Sequence, residues 1–190
     1  TNKVTNMRYL VYIYGSPVRR KDAEKVPAGF LALTQLVADM LGTMYASKGV
    51  GLAAPQIGKS LRIFTVDSSA YADEDPSYAD FRKAFINPEI YWRSEEQVVM
   101  GEGCLSIPGL NEDVTRPERI RVRWMDENLE QHDQEFDGYP ARVIQHEYDH
   151  LDATLFTDLL SPLRKTLVRG KLNAMGKGKF SASYKTRQTK

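Results

Sequence analysis

The segment His146-Glu147-Tyr148-Asp149-His150 constrains this chain more than any other. Two histidines four residues apart face the same way on an α-helix, one imidazole a turn above the other. The neighbouring residues agree with a helix, because Ala141, Ile144, Tyr148 and Leu151 recur at helical spacing. Two imidazoles so placed can share a metal, and the intervening glutamate can reach the remaining coordination position. The same spacing also occurs on ordinary surface helices, so the motif alone leaves both readings open.

The elements around this helix read as α+β. Residues 9–14 are mostly apolar and β-favouring and stop at Gly15-Ser16-Pro17. A helix is predicted over residues 27–47, with Pro27 in its first turn and Phe30, Leu33, Val37, Met40, Leu41 and Met44 along one buried stripe. The Gly- and Pro-rich residues 49–58 are irregular, and residues 68–80 form an acidic, solvated loop. Strands are predicted at residues 61–66, 83–86, 90–92, 96–99, 120–124 and 131–136, with Asp126-Glu127-Asn128 as a hairpin turn. The histidine helix begins near Pro140 and ends about Leu151. A third covers residues 162–174, with Ser161 as N-cap and Pro162 in first position. Strands and helices segregate, so the expected fold is a single α+β domain, residues 7–175. Its mixed and antiparallel strands pack around a central helix carrying His146 and His150, and a C-terminal helix follows. Residues 176–190, rich in Gly, Ser and Lys, are expected to form a basic, disordered tail; residues 1–6 read as a frayed polar terminus.

A chain of 190 residues, 42% hydrophobic and 27% charged, lies well away from the disordered classes. A net charge of +1 gives no global reason to bind DNA. No run approaches the roughly 18 apolar residues of a membrane span, and no signal peptide is apparent. The expected location is cytoplasmic. The single cysteine, Cys104, permits no intrachain disulfide and fits a reducing compartment.

A catalytic metal site needs three protein ligands and an open position. Beside His146 and His150, Cys104 is the natural third. It lies in the Gly- and Pro-flanked segment of residues 101–109, and a thiolate suits a soft or borderline metal. The rival is Cys104 as a direct nucleophile, which leaves the paired histidines without a purpose. His132, in the polar residues 131–134, is expected to be a solvated surface residue.

Three segments stand in one order: Gly49-Val50-Gly51-Leu52-Ala53-Ala54-Pro55-Gln56, Glu102-Gly103-Cys104-Leu105-Ser106 and Gln145-His146-Glu147-Tyr148-Asp149-His150-Leu151. Together they resemble the G-x-G-L-A-A-x-Q, E-G-C-x-S and Q-H-E-x-D-H-L patterns of the peptide deformylase family, bacterial type. The resemblance extends from about Tyr9 to Met175. It implies a metal-dependent hydrolase that removes the N-formyl group from the N-terminal formylmethionine of nascent polypeptides and releases formate. It implies Cys104, His146 and His150 as ligands of Fe2+, for which Zn2+ or Ni2+ can substitute. A metal-bound water then attacks the formyl carbon, with Glu147 as general base and later acid. Gln56 and the Leu105 N–H form the oxyanion hole. Without the resemblance, Gln56 reads as an ordinary loop residue. An ion pair between Glu102 and Arg116, supporting the Cys104 loop, is implied as well.

For the methionine side chain, Val143 lies nearly on the metal-facing side of its helix. The resemblance adds Val50 and Met100, although all three also read as plain core. It further implies that substrate backbone pairs near Val50, Gly51 and Gly103 as an added strand. Three positions depart from the family pattern: Ala153 where Gly is common, Asn111 at the pocket rim, and the charge in Pro17-Val18-Arg19-Arg20. The last helix carries Arg164, Lys165, Arg169 and Lys171, with Leu163, Leu167 and Leu172 as its apolar side. A basic helix is most often a solvated face. The resemblance adds docking on the ribosome, extended by Lys177, Lys179, Lys185 and Arg187. Expected partners are thus N-formylmethionyl peptides and the ribosome, with neither DNA nor membrane. The competing functions are an H-E-x-x-H metalloprotease, against which Cys104 and Gln56 argue, and a catalytically silent binding relative. The latter requires the loss of a ligand or of the glutamate, and all are present.

Overall fold

The β-favouring run Ile63-Phe64-Thr65-Val66 is buried on both sides of one sheet. The computed structural model describes residues 7–188. In chain order its elements are β1 (Val11–Tyr12), α1 (Leu33–Ala46), β2 (Gly51–Ala53), β3 (Ile63–Asp67), β4 (Arg82–Arg93), β5 (Gln97–Cys104), β6 (Ile107–Pro117), β7 (Ile120–Met125), β8 (Gln131–Phe136), α2 (Gly138–Leu151), α3 (Pro162–Gly176) and β9 (Thr186–Arg187). An antiparallel five-stranded sheet runs β2-β3-β4-β7-β8. Successive side chains on a strand point to opposite faces. Ile63, Ala84 and Ile86 therefore join the α1 core with Met40 and Met44. Phe64, Val66, Phe85 and Ile90 join the α2 core with Ala141, Val143 and Ile144. The expected single α+β domain is what forms.

The hairpin β5–β6 packs on α2 through side-chain bonds from Glu102 and Arg116, so α2 is covered by sheet and hairpin. All of β6 lies outside the predicted strands, because Pro108, Gly109 and Asn111-Glu112-Asp113 are loop-favouring residue types. Yet Leu110, Val114 and Arg116 are buried while Asn111, Asp113 and Thr115 are exposed, a period-two pattern with its polar half in water. A third core joins Ile107, Leu110 and Val114 of the hairpin to Val168, Leu172 and Met175 of α3.

Several boundaries differ from expectation. Helix α1 starts at Leu33, because Pro27 to Phe30 make a turn through the Phe30 N–H and the Pro27 carbonyl, with Gly29 at φ 80°. The strands predicted at residues 83–86 and 90–92 are one strand, β4, interrupted by a register shift to β7 between Ile86 and Glu89. There Asn87, at φ 48°, donates to the Val26 carbonyl and accepts from its N–H at 3.0 and 2.8 Å. In α3, Leu163 and Leu167 are exposed rather than apolar anchors, and Val168, Leu172 and Met175 form the buried face. The Ser161 hydroxyl accepts the Arg164 N–H, as a cap should. The tail departs furthest from its expected disorder: β9 pairs in parallel with β1, Val11 with Thr186 and Tyr12 with Arg187. Residues 1–6 and the Arg19 side chain lie outside the described parts. Arg20 ion-pairs with Asp158 at 2.6 Å. No helix among the described residues is long and apolar enough to cross a membrane.

Candidate metal centre

One turn of α2 separates His146 from His150, and the hairpin brings Cys104 beside them. The Sγ of Cys104 and a ring nitrogen of each histidine lie within 4.8 Å of one another. Cys104 Sγ stands 3.4 Å from His150 Nε2. Both histidines are buried and Cys104 is half-buried. One soft sulfur and two imidazole nitrogens are a donor set that suits a borderline divalent ion. His132 is exposed, as expected; it bonds Asp126 and stacks on Trp124.

Glu102 sets the orientation of the site. One carboxylate oxygen accepts from His146 Nδ1 at 2.8 Å, which leaves Nε2 directed at the cysteine side. Arg116 grips the same carboxylate with Nε and Nη2 at 2.6 and 2.9 Å, so the predicted ion pair is present. Arg142 adds a fourth bond at 2.7 Å and also donates to the Val98 and Val114 carbonyls. Arg116 reaches on to Asp149 at 2.7 Å. Burial opposes the charged form of Glu102, but the bonds from His146 and Arg116 and the Arg116 charge hold its carboxyl well below the usual carboxylate range. Burial likewise opposes charge on His146. Its bonds to Cys104 and Glu102 nevertheless raise its pKa well above the ordinary value.

Glu147 is different. It is buried, its Oε1 lies 3.9 Å from His146 Nε2, and its Oε2 has no hydrogen-bond partner. Burial pushes its carboxyl up to about 7. Gly51 permits this packing: a Cβ there would stand 2.7 Å from Glu147 Oε1 and 2.9 Å from Val143 Cγ1.

The cleft in front measures about 670 Å³ and is lined by Val50, Gly51, Met100, Gly103, Leu105 and Val143, together with Cys104, His146 and Glu147. Gln56 does not line it. It is buried beside Cys104, where its Oε1 accepts the Ala53 N–H and its amide nitrogen donates to Cys104 Sγ at 3.4 Å and Ser106 Oγ at 3.2 Å. Asn111 lines the rim beside Gly103.

Sequence reasoning missed Arg142, Asp149 and Gln145 as supports of the site. Arg142 is one turn before His146, and that spacing was a usable signal. Gln145 ties α2 to the hairpin by donating to the Pro117 carbonyl at 2.9 Å. It also missed Tyr139, Tyr71 and residues 181–184 as lining. No local pattern marks these, because they come from segments distant in sequence. Burial, with the charge of Cys104 adding to it, pushes the Tyr184 phenol up to about 12, so it stays a donor.

The family described as Polypeptide deformylase matches residues 9–166. The chain is similar to a peptide deformylase of Cytophaga hutchinsonii, 46% identical over 94% of this chain and 96% of that one. It is also similar to one of Salinibacter ruber, 44% identical over 92% and 91%. Among solved structures, the crystal structure of peptide deformylase from Thermus thermophilus superposes with a TM-score of 0.80 at 42% identity, covering 90% of this chain and 99% of that chain. Peptide deformylase of Plasmodium falciparum gives 0.80 at 35% identity, over 88% and 95%.

Proposed function

The chain belongs to the polypeptide deformylase family, a family of metallo-hydrolases, and on that premise we propose how its residues remove the N-formyl group from formylmethionyl peptides. The observation that carries the reading is the meeting of Cys104, His146 and His150 ligand atoms within 4.8 Å, beside a buried carboxylate with one unpartnered oxygen. The three would hold the ion, with Fe2+ as the proposed occupant and Zn2+ or Ni2+ as substitutes. Such an ion supplies Lewis-acid polarisation of a carbonyl and acidifies a water.

The protein groups then divide the work. Glu102 fixes the tautomer of His146 by accepting its Nδ1–H. Glu147 takes a proton from the attacking water at its free oxygen and later delivers it to the leaving amine. A carboxyl raised by burial suits that double role. The Gln56 amide nitrogen, held near Cys104 by the bond its Oε1 accepts from the Ala53 N–H, would exchange its long contact with the Cys104 sulfur for the developing oxyanion, which the Leu105 N–H also receives. Val50, Met100 and Val143 take the methionine side chain, and the substrate backbone lies along Gly51 and Gly103. A tight fit beside Cys104, His146 and His150 would admit formyl and exclude larger acyl groups by size. In this reading the enzyme acts on nascent chains in the cytoplasm.

The test is formate release from formyl-Met-Ala-Ser by anaerobically purified protein, with metal analysis on the same sample. Glu147→Ala is expected to retain metal and lose activity by about 100-fold or more. Stoichiometric metal in the wild type without formate release, even after ferrous or nickel reconstitution, would overturn the proposal.

A further inference from the structure

Among the parts of the cleft that the proposed function leaves unused is the stretch of residues 181–184. This stretch is held at both ends. Before it, the Lys179 N–H donates to the Ala174 carbonyl at 2.8 Å, and Phe180 packs on the third core. After it, the Val11 and Ile13 N–H groups donate to the carbonyls of Lys185 and Arg187 at 3.1 and 3.0 Å. Between these anchors, the Tyr184 hydroxyl donates to the Leu105 carbonyl at 2.5 Å. Exposure alternates along it: Ser181 and Ser183 are exposed, while Ala182 and Tyr184 are half-buried.

The Cys104-Leu105-Ser106 turn is consequently gripped by residues just beyond β1 and just ahead of β9. The Leu105 carbonyl takes the Tyr184 hydroxyl, and the Ser106 carbonyl takes the Tyr14 N–H at 2.8 Å. These bonds fix the peptide planes that follow Leu105, and a fixed plane on one side of a residue limits how its own N–H can swing. That N–H is the oxyanion donor in the proposed function. The methionine pocket there is built from Val50, Met100 and Val143, so the strap that meets the cleft at Leu105 is left for the residues after methionine.

We propose that residues 181–184 are a substrate wall of the deformylase site. Tyr184 is a positioning residue for the turn bearing Leu105, and Ser181 and Ser183 flank the peptide beyond its formylmethionine. This inference rests on the proposed function, and two substitutions in the full chain test it. Tyr184→Phe is expected to lower kcat on formyl-Met-Ala-Ser about threefold to tenfold, the scale of one neutral hydrogen bond, with KM, metal content and Tm held. A wild-type kcat, or a loss fully accounted for by a lower Tm or metal content, overturns the positioning role. Ser183→Trp places bulk on the exposed side of the wall. It is expected to lower the ratio of kcat/KM for formyl-Met-Ala-Ser to that for formyl-methioninamide by about fivefold, the scale of one side-chain contact. An unchanged ratio overturns the wall. An inactive wild type overturns the deformylase reading and this inference with it, whereas an active wild type with unaltered variants overturns this inference alone.

Discussion

The seam between α2 and the β5–β6 hairpin and the outer face of β7–β8 use the same residue types with different consequences. In the seam, the side chains of Arg116, Arg142 and Glu102 are 4–5% exposed and bonded at 2.6 to 2.9 Å. On the outer face, Arg121–Glu135 and Arg123–Asp133 are each about half exposed and 3.4 Å apart. The outer arginines also lie over aromatic rings, Arg121 over Trp92 and Arg123 over Tyr91. Water and salt screen the outer pairs, and each can rearrange when its partner goes. A seam charge has no water to turn to, so its worth lies in the cost of leaving it alone. The difference teaches that burial, more than pairing, decides which ion pairs hold this enzyme together. It also explains why the buried cluster is the one that reaches a proposed metal ligand.

The largest expected effect breaks the seam. Glu102→Ala removes the shared partner of Arg116, Arg142 and His146, and should cost about 3–5 kcal/mol in urea denaturation. Metal affinity should fall by about 10–100-fold, read by titration with a chelator. A loss below about 1 kcal/mol would put the seam on a level with the outer face and end the comparison.

A smaller effect sharpens it by separating α2's end from its seam. The helix stops in a Schellman arrangement, with Thr154 N–H donating to the Asp149 carbonyl at 2.9 Å and Ala153 N–H to the His150 carbonyl at 3.3 Å. Ala153 sits at φ 58°, in the left-handed region where a Cβ is strained. This is the physical sense of the glycine common at that place in the family. Ala153→Gly should stabilise by roughly 0.5–1 kcal/mol after glycine's own entropy cost, raising Tm by a few degrees. A lower Tm would mean that the seam, rather than the cap, sets the helix end.

The smallest effect concerns the outer face. Arg123→Ala should change stability by no more than about 0.5 kcal/mol, and added salt should narrow even that. A cost of several kcal/mol would show that the outer pairs act as a network.

Much of the site was legible in the sequence because its spacing is local. His146 and His150 must share a helix face, and no fold can change that while the helix lasts. The Glu102–Arg116 pair was legible only through resemblance, since the hairpin register sets Glu102 against Glu112 and Arg116 against Val98, and the two side chains meet along one face rather than directly across. The strand β6 escaped because its exposed half is as polar as a loop. Helix α1 was read too long because Phe30 continues the apolar stripe, whereas the Gly29 turn stops the helix short of it.

Taken alone, the sequence determined the class of the fold, the helix with its two imidazoles, and the cysteine able to join them. Those follow from periodicity and from the scarcity of histidine and cysteine. Only the tertiary structure decided that Arg142 and Asp149 enter the Glu102 cluster, that Gln56 bonds to Cys104 and Ser106, and that the C-terminal strap lines the cleft. Each depends on segments far apart in the chain being packed together, and the contacts that result leave no pattern in any one of them.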